Sequence, residues 1–229
     1  MNDILKRQGF SLTEKTEKKL ELFKDILKEY NAKFNLTSIT DDEDIYEKHF
    51  ADSLKGEEFF PYGANVLEVG SGGGFPSVPL KIAREDLNFT LTEATEKKCV
   101  YLKTVGEKLG FDKFSVINGR AEELGKEESF REKYDTVTAR AVARLNVLSE
   151  YCLPFVKVGG YFVAYKGDAE EEIKEALPAI EILGGKIENI KKFVLSEKSG
   201  VRNIVVIKKV KSTPKEYPRK NADIKKKPL

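Results

Sequence analysis

The chain has no tryptophan, a single histidine, a single methionine and only two cysteines among its 229 residues. Cys99 and Cys152 make no CxxC pair and have only His49 for company, so neither a zinc site nor a disulfide framework is expected. Long apolar runs are also missing. No stretch approaches the roughly 18 apolar residues of a membrane span, and MNDILKRQGFSLTEKTEKKL at the start lacks an apolar signal core. A cytoplasmic protein that makes no membrane contact is therefore expected. Overall charge is nearly balanced, with 40 basic and 38 acidic residues, but its distribution is uneven. Residues 208–229 hold nine basic and two acidic residues, leaving the rest of the chain slightly acidic. A basic tail suits a polyanionic partner, since neutralising phosphates releases counterions. A frayed, solvated terminus would have the same composition.

What is present divides into three parts. Residues 1–60 read as an N-terminal helical extension. Ser11 and Glu14 form a possible capping box for a helix over 11–34, in which Leu20, Phe23, Leu27 and Tyr30 recur at helical spacing. A second helix is expected from Thr40 through DIYEKHFADSL. Residues 61–210 alternate strands with helices: NVLEVG, FTLTEA, FSVING, YDTVTA and YFVAYK, then a closing pair, KIENIKKFVL and RNIVVIKKV, joined by EKSGV. Such alternation implies right-handed crossovers and a mostly parallel seven-stranded sheet, with the closing hairpin adding one antiparallel strand. Residues 211–229 are the basic tail.

The densest motif is EVGSGGGFPSVPL, residues 68–80, with Gly70, Gly72 and Gly74 at a strand-to-helix turn. In an open parallel sheet this is where ligands bind, and the bare backbone lets one approach the main chain. A Walker loop would continue Gly-Lys-Ser/Thr, whereas Phe75 and Pro76 follow here. A dinucleotide fingerprint would place its third glycine where Phe75 stands, which disfavours a nicotinamide oxidoreductase. Glu93 ends the next strand and suits ribose hydroxyls. Ala121 and Glu122, in NGRAEEL after the third strand, would lie beside an adenine. A glycine loop without pyrophosphate space, together with a ribose-binding acid, fits S-adenosylmethionine.

Methyl transfer leaves the activation to the cofactor and asks the protein for position and field. Methylation at carbon-5 of a pyrimidine needs a cysteine nucleophile, yet Cys99 and Cys152 both sit in apolar helical patterns and read as core. In place of an amine-orienting Asn/Asp-Pro-Pro-aromatic loop after the fourth strand, the chain has TARAVAR, with Arg140 and Arg144. A ring nitrogen with a free lone pair, such as guanine N7, needs orientation and no base, and arginine can orient a base or a phosphate. The residues alone leave two other readings open: a methyltransferase acting on a protein or small molecule, and a non-catalytic RNA-binding protein on the same fold.

Taken together, NLTSI (35–39), KHFADSL (48–54), EVGSGGGFPSVPL, GRAEE (119–123), TARAVARL (138–145), TPKEYPRK (213–220) and KKPL (226–229) resemble the bacterial 16S rRNA guanine-N7 methyltransferases, also called glucose-inhibited division protein B. The resemblance runs nearly end to end. It implies a Rossmann-like class I fold that uses S-adenosylmethionine to methylate one guanine of 16S rRNA, free or in the small ribosomal subunit. By motif position it assigns Gly70, Phe75, Ala121, Glu122 and Arg140 to the cofactor; Glu93 comes from the general class pattern. No catalytic base and no metal are expected. Arg140 and Arg144 would position the substrate, and Arg144, Lys166, Arg202 and Arg219 are candidate RNA contacts. His49 reads as a brace for the N-terminal helices, and Tyr217 with Pro218 as a stacking element or a pin for the tail. A monomer is expected.

Overall fold

A computed structural model of the chain describes residues 2–229. Apolar alternation bounded by turn residues yields β1 (Asn65–Val69), β2 (Asn88–Glu93), β3 (Phe114–Asn118), β4 (Tyr134–Arg140), β5 (Val156–Lys166), β6 (Gly185–Val194) and β7 (Val201–Lys209). They form one sheet in the order β3-β2-β1-β4-β5-β7-β6. The first five strands pair in parallel, and β7 runs antiparallel to both β5 and β6. The expected closing hairpin is present, with its second strand inserted inside its first. Chain order reverses at β1, between β2 and β4, which opens a crevice outside the carboxyl ends of these strands.

Helices cover both faces. α5 (Ser77–Ala83) and α6 (Glu96–Lys108) share one hydrophobic cluster with the N-terminal helices, while α8 (Leu145–Cys152) and α9 (Glu170–Ile182) share the other. Val66 and Leu67, adjacent on β1, belong to opposite clusters, as the two-residue period of a strand requires. The short α7 (Ala121–Leu124) follows β3.

The N-terminal extension contains α1 (Asn2–Arg7), α2 (Glu14–Asn31), and a continuous helical segment made of α3 (Asp42–Asp44), a π-helical stretch Ile45–Ala51 and α4 (Asp52–Leu54). The caps differ from expectation by one or two residues. Thr13, not Ser11, caps α2, its hydroxyl accepting from Thr16 N at 3.2 Å. Asp41, not Thr40, caps the second segment by accepting from Asp44 N. The α2 helix also ends early, at Asn31, whose side chain accepts from Leu36 N and Thr37 N and turns the chain. Phe23 lies 5.6 Å from Phe50 and 5.4 Å from Phe75, centroid to centroid. The extension thus packs its aromatics directly under the glycine loop.

The basic tail folds back onto the body. The buried ammonium of Lys209 donates to Leu153 O and to Thr213 Oγ1, both at 2.6 Å. Arg131 donates to the carbonyls of Thr213 and Tyr217, each at 2.8 Å. Arg219 grips the buried carboxylate of Glu150 through Nε and Nη2, at 2.9 and 2.6 Å. A last helix, α10 (Asn221–Lys226), which the sequence pattern does not announce, buries Ile224 completely. Tyr217 and Pro218 thus belong to a pinned segment.

Candidate active site

Two cavities adjoin the crevice, one on each side of the loop that follows β4. Val142 and Ala143 line the first, and Arg140 and Ala141 line the second. Ala141 sits at φ 56°, a left-handed conformation that is uncommon without glycine, so the loop is held under strain where the two cavities meet.

The first cavity, about 190 Å³, brings together Gly70, Glu93, Ala121 and Glu122, four of the residues expected to hold the cofactor. Gly70 has φ 69°, and a Cβ there would come within 2.9 Å of Val142 Cγ2. The bare position is therefore required twice, by backbone and by space. Glu93 accepts from Gly72 N at 3.0 Å and from Thr95 N at 2.8 Å. A carboxylate offers about four lone-pair directions, so two remain for ribose hydroxyls. Gly72 thus acts by orienting Glu93, and Gly74, φ 87°, closes the turn by donating to Ser71 O at 2.7 Å. Neither lines the cavity. A cradle that a Cβ would fill and a carboxylate with free lone pairs fit the adenosine half of S-adenosylmethionine.

The second cavity, about 430 Å³, is lined by Lys48, His49, Asp52, Arg140, Lys166 and Arg202. Arg140 Nη1 donates to Asp52 Oδ2 at 2.9 Å and to Lys48 O at 3.1 Å, and Nη2 donates to His49 Nδ1 at 2.8 Å. Because guanidinium has no acceptor, Nδ1 must be the lone-pair nitrogen, leaving Nε2–H to donate to Thr37 Oγ1 at 2.9 Å. Burial, reinforced by the Arg140 charge, pushes the His49 pKa down to about 3, so the ring stays neutral. Both His49 and Arg140 stack on Phe75, the imidazole at 4.2 Å and the guanidinium at 4.8 Å from its centroid. Phe75 is therefore the platform of this network. His49, in the π-helical stretch, and Asp52, three residues on at the start of α4, both reach Arg140. Lys166 donates to Ala143 O at 2.7 Å and pairs with Glu172 at 2.5 Å. Arg202 approaches Asp52 Oδ1 at 3.8 Å.

Two of the expected RNA contacts fall outside both cavities. Arg144 pairs with Glu175 on the surface, and Arg219 is bound to Glu150. Sequence reasoning passed over Glu68, on β1 beneath the loop. It is wholly buried, and neither carboxylate oxygen has a hydrogen-bond partner among the described residues. Burial pushes its pKa up to about 7. Tyr151, Asn221 and Lys225 of the first cavity were also passed over. Among the described residues no helix is long and apolar enough to cross a membrane, and no group of His, Cys, Asp and Glu could hold a metal.

Sheet order, the glycine turn at the strand ends and the cavity beside it fit a Rossmann-like class I methyltransferase that uses S-adenosylmethionine. Solved structures with this fold include a methyltransferase from Pyrococcus furiosus, 17% identical with TM-score 0.54, covering 69% of this chain and 80% of that one. Another is M. jannaschii TYW2 in complex with AdoMet, 15% identical with TM-score 0.56, covering 74% and 77%. The family described as rRNA small subunit methyltransferase G matches residues 16–204. A protein of that name from Brevibacillus brevis is 46% identical over 230 residues, 99% of this chain and 97% of its own. One from Clostridium novyi is 49% identical over 210 residues, 90% and 86%. The chain belongs to the rRNA small subunit methyltransferase G family.

Proposed function

We propose that this enzyme transfers a methyl group from S-adenosylmethionine to N7 of one guanine in 16S rRNA, by direct in-line displacement without a general base. It would work in the cytoplasm as a monomer. The family description supports the rRNA substrate. Support for the acceptor atom comes from one observation: the second cavity is cationic, and both of its candidate bases are engaged. His49 uses both ring nitrogens, and Asp52 is ion-paired with Arg140, with Arg202 also near it, which disfavours its taking up a proton. An acceptor that must lose a proton before attack finds no partner there, whereas a ring nitrogen needs none.

Bound S-adenosylmethionine supplies a methyl group already activated on a sulfonium. Gly70 gives the main chain close approach, Glu93 accepts from the ribose hydroxyls, and Ala121 and Glu122 face the base. Arg140 keeps two N–H donors, Nε and one on Nη2, that have no acceptor among the described residues. A donor placed on N7 would consume the lone pair that must attack, so these two suit guanine O6 or the cofactor carboxylate. Lys166 and Arg202, on the rim of the same cavity, suit RNA phosphates, with Arg144 further out on the surface. We assign Arg219 to holding the tail rather than to RNA.

The test supplies purified enzyme with methyl-labelled S-adenosylmethionine and either naked 16S rRNA or small subunits from cells lacking this activity. Label recovered as 7-methylguanosine is the expected result. Label on another nucleoside, or on a protein, would overturn the acceptor assignment.

A further inference from the structure

The first cavity has a wall that no strand-end motif foretells: Asn221 and Lys225 of α10 line it beside Glu122 and Tyr151. The tail reaches this place because β7, antiparallel, delivers the chain to the far end of the sheet, near Gly185, and residues 210–220 then climb back past Arg131 and Glu150. The helix is fixed at both of its turns. Tyr151 Oη donates to Asn221 Oδ1 at 2.6 Å, and Ile224, next to Lys225, is wholly buried. Lys225 is thus presented by an anchored element.

Glu122 and Lys225 carry opposite charges on one small cavity, yet they form no ion pair with each other. Among the described residues neither side chain makes any hydrogen bond. A carboxylate is acceptor-only and an ammonium donor-only. Lining one cavity without pairing, buried Glu122 and exposed Lys225 suit a ligand edge with one donor and one acceptor side by side. Adenine offers this, with its N6 amino group and N1 lone pair. Hypoxanthine, with O6 and N1–H, presents the reverse.

We propose that the C-terminal segment is part of the cofactor site, with Lys225 donating to adenine N1 while Glu122 accepts from N6. The tail then selects the adenine base instead of serving as an RNA arm. This rests on the reading of the first cavity as the adenosine site.

The test is calorimetry of the full chain without RNA, comparing S-adenosylhomocysteine with S-inosylhomocysteine. Variants are Lys225→Met, the neighbouring Lys226→Met with the same charge change but outside the cavity, and Gly70→Asp. Lys225→Met is expected to weaken the adenosine ligand roughly tenfold, the scale of one charged hydrogen bond, and to narrow its preference over the inosine ligand. Lys226→Met should bind as wild type does. The proposal is overturned if Lys225→Met binds both ligands as wild type does, above all if it raises the KM for RNA and flattens its salt dependence, as a phosphate contact would. Gly70→Asp separates the two levels. If it leaves the adenosine ligand bound, the cavity reading itself fails, and this proposal with it. If it abolishes binding while Lys225→Met does not weaken it, only the tail assignment falls.

Discussion

The two cavities flank one loop and solve opposite problems. In the first, charged groups are left apart: among the described residues Glu122 and Lys225 make no hydrogen bonds, and Glu93 keeps lone pairs free. In the second, charged groups are bound to one another: Arg140 is fixed by Asp52, Lys48 and His49 and stacked on Phe75. A site that must let its ligand come and go at every turnover gains from unsatisfied groups that only the ligand completes. A site that must aim a nucleophile gains from groups that cannot move, since misalignment raises the barrier. On the proposed reading the contrast is between recognition and aim, and substitutions should separate them.

The largest effect is expected at Gly70, where any side chain meets a positive φ and Val142 together. Gly70→Asp should lower cofactor affinity by 100-fold or more, on the order of 3 kcal/mol, with the thermal melt showing whether the fold survives. Next comes Arg140. Arg140→Lys keeps the charge but loses the planar fork that serves Asp52 and His49 at once. A fall in kcat of about 100-fold is expected, and single-turnover kinetics would place it on the chemical step. If lysine proves as good as arginine, the network supplies charge and not aim.

His49 acts through Arg140 and is a positioning residue. His49→Phe preserves the ring on Phe75 and removes the acceptor at Nδ1; His49→Gln does the reverse. Phenylalanine should reduce kcat roughly tenfold with little change in KM for RNA, and glutamine should recover part of that loss. Equal losses in both would reduce His49 to a packing residue.

The smallest effect concerns pH. His49 has its folded pKa depressed to about 3, so the stability it contributes is present above about 6.5 and is lost as pH falls through that window. Glu68 has its folded pKa raised to about 7, so its contribution is present below the usual carboxylate range and is lost as pH rises toward 7. Between about pH 4.5 and 6.5 the two slopes oppose each other. His49→Gln removes one of them, so denaturant titrations at pH 5.5 and 6.5 should show its stability relative to wild type shifting by up to about 1.4 kcal/mol. No shift would mean that His49 titrates normally in the fold.

The strands were legible because each carries an apolar core bounded by Gly, Asn or Asp, and helix-length segments fix the crossovers. The residues expected at the cofactor were brought together on one cavity because they sit at strand ends, where chain order alone brings Gly70, Glu93 and Ala121 to one edge. What stayed hidden was contact across sequence. His49 and Arg140 lie in different layers of the molecule, and nothing local says that a lone histidine accepts from a distant guanidinium. The caps were misplaced because several hydroxyl and carboxylate residues crowd each helix start. The short α10, rich in lysine and anchored by one isoleucine, has too few apolar positions to show a period; only docking makes it a helix. Glu68 was visible as a residue but not as a buried one, since a charge inside a strand reads as an outward position.

Residues 221–225 leave the ribosome long after the glycine loop they face. The sheet, its two helical layers and the whole acceptor cavity come from the chain before them. The body could therefore fold while its first cavity still lacked the wall that α10 supplies. If Lys225 does hold the adenine, the tail would decide when the molecule becomes competent, because the methyl donor would be held well only after Lys225 has docked.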